Sequence, residues 1–174
     1  EQVERVHQAS LTVLRDMGVE FMSSEALDVL EKAGADVNRD TQVVRFDPEL
    51  IAESLSLAPA EFDVEARNPE HSFHVGGDHM VFTLVSSAPN INDLDGGRRP
   101  GTYEDQCNLI RLEQSLNIIH TGAITPVEAL DMPVHSRHLD LVHAYLTLSD
   151  RSFSARAIGR QRILDTLDMT CIAH

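Results

Sequence analysis

MVFTLVSSAPNINDLDGGRRPGTYEDQCNLIRLEQSLNIIHTG, Met80–Gly122, decides the fold class. Its first eight residues are a continuous apolar run of strand length, and its glycine-rich middle is a loop. TYEDQCNLIRLEQSLN then carries Leu109, Ile110, Leu112 and Leu116 at helical spacing, with those side chains expected toward the core. NIIHTG reads as a second buried strand. A strand without apolar–polar alternation is covered on both faces, so strand, helix and strand in this order specify a parallel βαβ unit.

The rhythm continues beyond Gly122. The loop AITPVEALDMP leads to the helix HSRHLDLVHAYLTLSD, RSFSARAIG is a third strand, and GRQRILDTLDMTCIAH is its helix. Three such units are too few for a closed barrel and thin for a doubly wound sheet. With Glu1 at the start and a helical pattern still running at the end, the chain is expected to be a piece of a longer protein.

The residues before Met80 follow another grammar. VERVHQASLTVLRDMG and SSEALDVLEKAG share LxVLxxxG with an offset of sixteen residues and are expected to form a helical hairpin. Gly18 and Gly34 are its left-handed C-caps, and Ser23 or Ser24 caps the second helix. TQVVRF is a short extended stretch. Asp47–Pro48 supplies an N-cap and a first-turn proline to PELIAESLSLA, and Pro59 ends that helix. FDVEARNPEHSFHVGGD, broken at Asn68–Pro69 and Gly76–Gly77, has the punctuation of a β-hairpin.

Composition narrows the function. At 174 residues and 42% hydrophobic, the chain can bury a core, while 28 acidic against 14 basic residues give a net charge of -14 that opposes nucleic acid. Lys32 is the one lysine. Cys107 and Cys171 lack CxxC spacing, which argues against a disulfide framework or structural zinc and suits a reducing cytoplasm. No apolar run approaches the ~20 residues of a membrane span, so no membrane partner is expected.

LRDMGVEF, LEKAGADVN, DPELIAESLSLAP, the GG-containing hairpin, LDGGRRPGTYEDQCNLIRLEQSLNIIHTG, the DMP of the second loop and TLSDRSFSARAIG together resemble the trimethylamine methyltransferase family. That family includes pyrrolysine-containing trimethylamine enzymes and pyrrolysine-free relatives acting on glycine betaine and similar quaternary amines. The resemblance covers essentially this whole chain, but about the N-terminal third of a family member, and the family's pyrrolysine lies in a later region.

The resemblance implies a (β/α)8 TIM barrel, with a helical cap and hairpin extension over residues 1–79 and the first βα units over 80–174. It also implies transfer of a methyl group from a tertiary or quaternary amine to the Co(I) corrinoid (cobalamin) of a partner protein, with a fragment of this size expected to be inactive alone. Open strand edges in such a fragment would be covered by self-association, so a homo-oligomer is expected. The competing expectation is a stand-alone acidic α/β binding module without catalytic activity.

Barrel chemistry sits at the C-terminal ends of strands. This rule nominates Ser86, Ser87 and Asn90 after the first strand, His120, Thr121, Glu128 and Asp131 after the second, and Arg156 in the third. A quaternary ammonium group is recognised by aromatic faces and carboxylates. With no Trp, two Tyr and six Phe, the carboxylates Glu128 and Asp131 carry more of that role, although both also suit an ordinary polar loop. Arg156 suits a betaine carboxylate or an internal ion pair. His135 and His138 share a helix face, from which His143 departs. With only Asp140 to one side, they do not complete a metal ligand set, and neither do His71, His74 and His79.

LDGGRRPGTYEDQ raises the question of a phosphate cradle, but it lacks GxGxxG and GK[ST]. It reads better as a strand-to-helix turn closed by the capping signal of Thr102 and Asp105. Arg98 and Arg99 are left open, as partners of acidic loops or as candidate contacts for the corrinoid protein, a carboxylate or another anion. Cys107, in the following helix's first turn, suits a packed thiol.

Overall fold

A computed structural model describes residues 1–156 and 158–173. Ala157, in the expected third strand, and His174, closing the expected last helix, lie outside the described residues. Among the described residues the architecture is mixed α/β, with six α-helices and three small antiparallel sheets. Contacts divide the chain into two compact units, Glu1–Pro59 and Ala60–His174, so the expected hairpin falls in the second unit.

The first unit opens with α1 (Gln2–Asp16), which ends where Gly18 turns left-handed at φ +76°. A Cβ there would lie 2.5 Å from the Val44 carbonyl oxygen, so both backbone conformation and space require glycine. The turn sends the chain directly into β1 (Val19–Glu20) instead of a helix–helix hairpin. β1, β3 (Val43–Arg45) and β2 (Asp36–Asn38) form an antiparallel sheet in that order, with α1 against β3 and α2 (Ser24–Lys32) against β2. Leu27, Ala35 and Val44 are buried at its centre, flanked by Phe21 and Phe46 in edge-to-face contact at 6.3 Å. Expected caps are present: Ser23 Oγ accepts from Ala26 N–H, and the Asp47 carboxylate accepts from Glu49 N–H at the start of α3 (Pro48–Ser56).

The second unit begins with the antiparallel hairpin of β4 (Phe62–Val64) and β5 (Phe73–Val75). Between the two strands Asn68 caps a short 3-10 turn, Pro69–His71. The three segments read as strands come next, and they lie side by side, parallel and in chain order. They meet through single bridges, Thr83 to Thr121 and Gly122 to Phe153, rather than the continuous ladders expected from their apolar runs. Hydrogen bonds from His120 N–H to the Phe82 carbonyl (2.9 Å) and from Gly122 N–H to the Ser152 carbonyl (2.8 Å) reinforce these contacts. A helix follows each segment: α4 (Tyr103–Ser115), α5 (Arg137–Leu148) and α6 (Arg160–Ala173).

Two expectations are corrected here. The loop before α4 contains a further hairpin, β6 (Asn90–Asp93) paired with β7 (Gly97–Pro100), which reverses through residues 94–96. Helix α4 also faces inward differently from its leucine pattern. Gln106, Cys107, Ile110 and Glu113 are buried, at the i, i+1, i+4 and i+7 positions of one face, whereas Leu112 and Leu116 are exposed and Leu109 is half-buried. Packing against α5 selects that face, where Cys107 and Ile110 join Leu141, Ala144 and Tyr145.

Phe153, arriving from the third segment, stacks on Tyr145 with ring centroids 4.8 Å apart. Gly122 passes so close beneath this pair that a Cβ would meet Tyr145 Cε1 at 2.6 Å and Phe153 Cβ at 3.0 Å. No helix among the described residues is long and apolar enough to cross a membrane. Gly122→Ala is expected to lower the unfolding free energy by roughly 1–3 kcal/mol, as overpacking does. Chemical denaturation checks this, and an unchanged midpoint would contradict the close approach.

Candidate functional site

The C-terminal ends of the first two parallel segments are tied by hydrogen bonds from backbone N–H groups. Ser87 N–H donates to the Thr125 carbonyl (2.6 Å), Glu128 N–H to the Ala88 carbonyl (2.8 Å), and Ile124 N–H to Ser86 Oγ (3.2 Å). Ser87 adopts φ +61°, an uncommon conformation for a residue with a side chain, at the point where the first segment turns away.

Glu128 lies at the centre of this cluster, with its side chain 15% exposed. Arg156 donates to Glu128 Oε1 through Nη2 and approaches Oε2 through Nη1 at 3.5 Å, while Arg137 at the start of α5 reaches Oε2 at 3.4 Å. Arg156 Nη2 also contacts Ser87 Oγ at 3.3 Å. Of the candidates from the sequence, Ser87, Glu128 and Arg156 therefore come together. Two guanidinium groups on one half-enclosed carboxylate form an internal ion cluster, so the structure uses the Arg156 charge against Glu128.

The remaining candidates lie elsewhere. His120 sits against the third residue of the first segment: its Nδ1 accepts from Phe82 N–H at 3.1 Å, and its ring packs between Phe82 and Phe73. Thr121 Oγ1 donates to the Ser152 carbonyl. Asp131 accepts from Tyr103 N–H at 2.8 Å and so serves the N-terminus of α4. Asn90 pairs opposite Pro100 in the β6–β7 hairpin.

Of the roles open to Arg99, the structure shows pairing with acidic residues. Its Nη1 and Nη2 grip the Asp105 carboxylate at 2.5 and 2.7 Å, and Nη2 reaches Asp93 at 2.9 Å. Asp105 simultaneously completes the capping box with Thr102. Arg99 beside it holds the Asp105 carboxyl well below the ordinary carboxylate range. Arg98, by contrast, is exposed on β7.

The histidines separate as well. His138 is buried, with Nε2 2.8 Å from Asp165 on α6, while His135 and His143 are exposed. His71 Nδ1 pairs with Asp150 at 2.6 Å, and His74 Nδ1 with Asp63 at 2.8 Å. Among the described residues no group of three or more His, Cys, Asp or Glu side chains converges as a metal site.

Sequence reasoning passed over Glu113, which is fully buried in α4. Neither carboxylate oxygen has a hydrogen-bond partner in the protein. Burial pushes its carboxyl up to about 7, because the Arg151 charge offsets only part of the desolvation. As a charged residue between Leu112 and Gln114 in RLEQ it reads as helix surface, so no local signal marks it.

The sequence profile of the trimethylamine methyltransferase family matches residues 1–174. The chain belongs to the trimethylamine methyltransferase family. A glycine betaine methyltransferase of Desulfitobacterium hafniense is 34% identical over 172 residues, covering 99% of this chain and 36% of its own length. A trimethylamine methyltransferase from the same species is 29% identical over 133 residues, 76% of this chain and 27% of that protein. An L-carnitine:corrinoid methyltransferase of Eubacterium limosum is 28% identical over 134 residues, 76% of this chain and 26% of that protein. The chain thus spans between about a quarter and just over a third of these relatives' length.

For Glu113 the pH dependence has a definite sign. A folded-state value near 7 against an ordinary 4.5 means that the folded protein holds the proton more tightly. Stability is then greatest below about pH 4.5 and falls as pH rises to about 7, by up to roughly 3 kcal/mol for this one group. Glu113→Gln is expected to remove that slope and to raise the melting temperature at pH 8. Parallel stability–pH curves for wild type and variant would contradict the assignment.

Proposed function

We propose that this chain is the N-terminal portion of a methyltransferase that takes a methyl group from a quaternary or tertiary amine and delivers it to the corrinoid of a partner protein. The family match along all 174 residues carries the reading. It is supported by relatives whose names specify glycine betaine, trimethylamine and L-carnitine. In such a transfer from a quaternary amine, the C–N bond breaks, a carbon–cobalt bond forms as Co(I) becomes formally Co(III), and the amine leaves with the C–N electron pair.

We read the three parallel segments as the opening strands of a (β/α)8 barrel. Their order, their parallel bridges and the helix after each support this reading. Barrel enzymes act at the C-terminal ends of their strands, so on this reading Ser87, Glu128 and Arg156 belong to the substrate side. The Glu128–Arg156–Arg137 cluster would serve there as a rigid floor, fixing the loops around the substrate rather than exchanging protons with it. Arg98, exposed on the β6–β7 hairpin, is the better placed of the two arginines for contact with the corrinoid protein. His120 and Thr121 are proposed as packing residues rather than substrate ligands, and Asp131 as a helix cap.

Methyl transfer by the full-length protein to reduced cobalamin, followed by the visible spectrum, tests the proposal. Trimethylamine, glycine betaine, proline betaine and carnitine are the substrates to offer. Methylcobalamin formation with at least one of them is expected; none with any, from a folded protein, would overturn the reading.

A further inference from the structure

The ion cluster around Glu128 borders a small, partly open cavity of about 10 Å³, lined among others by Gln106, Glu128, Arg137, His138, Arg156 and Arg162. Three of these residues carry a buried polar atom without a hydrogen-bond partner in the protein: Gln106 Oε1, Arg137 Nε and His138 Nδ1. Such atoms are uncommon in folded proteins, because an unsatisfied buried donor or acceptor costs about 1–3 kcal/mol. Three such atoms on residues that border one cavity point to a shared ligand.

Their chemistry identifies it. Gln106 Nε2 donates to the Val127 carbonyl at 2.9 Å, which fixes the amide so that Oε1 is an acceptor. Arg137 Nε–H is a donor in every state. His138 Nε2 faces Asp165 and holds a proton there, so Nδ1 accepts when the ring is neutral and donates when it is charged. A halide or other anion would meet the lone pairs of Gln106 and neutral His138. A metal cation would meet Arg137, Arg156 and Arg162. A molecule that both donates and accepts suits the set, and a cavity of this size holds about one water.

We propose that one water molecule is built into this cavity, accepting from Arg137 Nε and donating to Gln106 Oε1 and to neutral His138 Nδ1. By reorienting it can accept from charged His138 instead. The water holds the Arg137 guanidinium in place, and thereby its Nη1 on Glu128, coupling helices α4 and α5 to the loop that carries Glu128. It is a positioning water, and its presence does not depend on the methyl-transfer reading.

The test is a crystal structure of the full-length protein at a resolution that shows ordered water, with a bromide-soaked crystal beside it. The expected result is a single well-ordered peak within about 3.2 Å of all three atoms, without anomalous signal in bromide. Gln106→Leu, compared in the same crystal form, is expected to lose the peak and to lengthen the contact between Arg137 and Glu128. An empty cavity, side chains turned to satisfy one another directly, or a bromide peak would each overturn the proposal.

Discussion

Glu128 cannot be left without its arginines. A carboxylate so little exposed is costly to desolvate unless opposite charge and hydrogen bonds surround it. It belongs to the loop after the second parallel segment, whereas Arg156 comes from the third segment and Arg137 from the start of α5. Ser87, at the end of the first segment, completes the contact through Arg156. One charge cluster therefore fixes the outlets of all three segments. Among the described residues their direct pairing is limited to isolated bridges and a few backbone hydrogen bonds, so the cluster adds order that a continuous ladder would otherwise provide.

A second polar cluster performs the corresponding task toward the other end of the segments. Asp150, just before the third segment, accepts from Asn68 Nδ2, from Gln114 Nε2 and in its pair with His71 Nδ1. Arg67 reaches the carbonyls of Leu146 and Ser149 at the end of α5. These contacts fasten the turn of the β4–β5 hairpin across the start of the third segment, and Phe73 of that hairpin packs on His120. Between the two clusters lies the apolar packing of Ile110, Tyr145 and Phe153, with Gly122 as its closest passage. Charged groups thus hold the two ends, while apolar and aromatic contacts fill the interval.

Local chemistry was legible in the sequence because it acts over a few residues. Ser23, Asp47–Pro48 and the Thr102–Asp105 box all cap the helices read from them, and Gly18 and Gly34 have the expected positive φ. The succession of three segments and three helices was legible as well, from apolar runs and helical periodicity. The β6–β7 hairpin was not, because NIND and GRRP show no apolar alternation and Arg99 contributes through ion pairs to Asp93 and Asp105. Leucine periodicity misjudged α4, since Gln106 and Glu113 point inward, and no periodicity rule places a polar side chain in a core. The Glu128 cluster was only half legible. Strand-end logic reached Ser87, Glu128 and Arg156, but their mutual pairing spans 28 and 69 residues and is decided by the fold.

The most direct measurement is a double-mutant cycle on the full-length protein with Glu128→Gln and Arg156→Met, read as unfolding free energies in denaturant. Residues sharing a buried charge contact couple by about 0.5–3 kcal/mol. The account predicts a coupling of at least ~1 kcal/mol, with each single variant less stable than wild type, because each strands one charge of the cluster. Strictly additive effects would contradict it: Glu128 and Arg156 would then not be partners, and the outlets of the three segments would have to be held by something else.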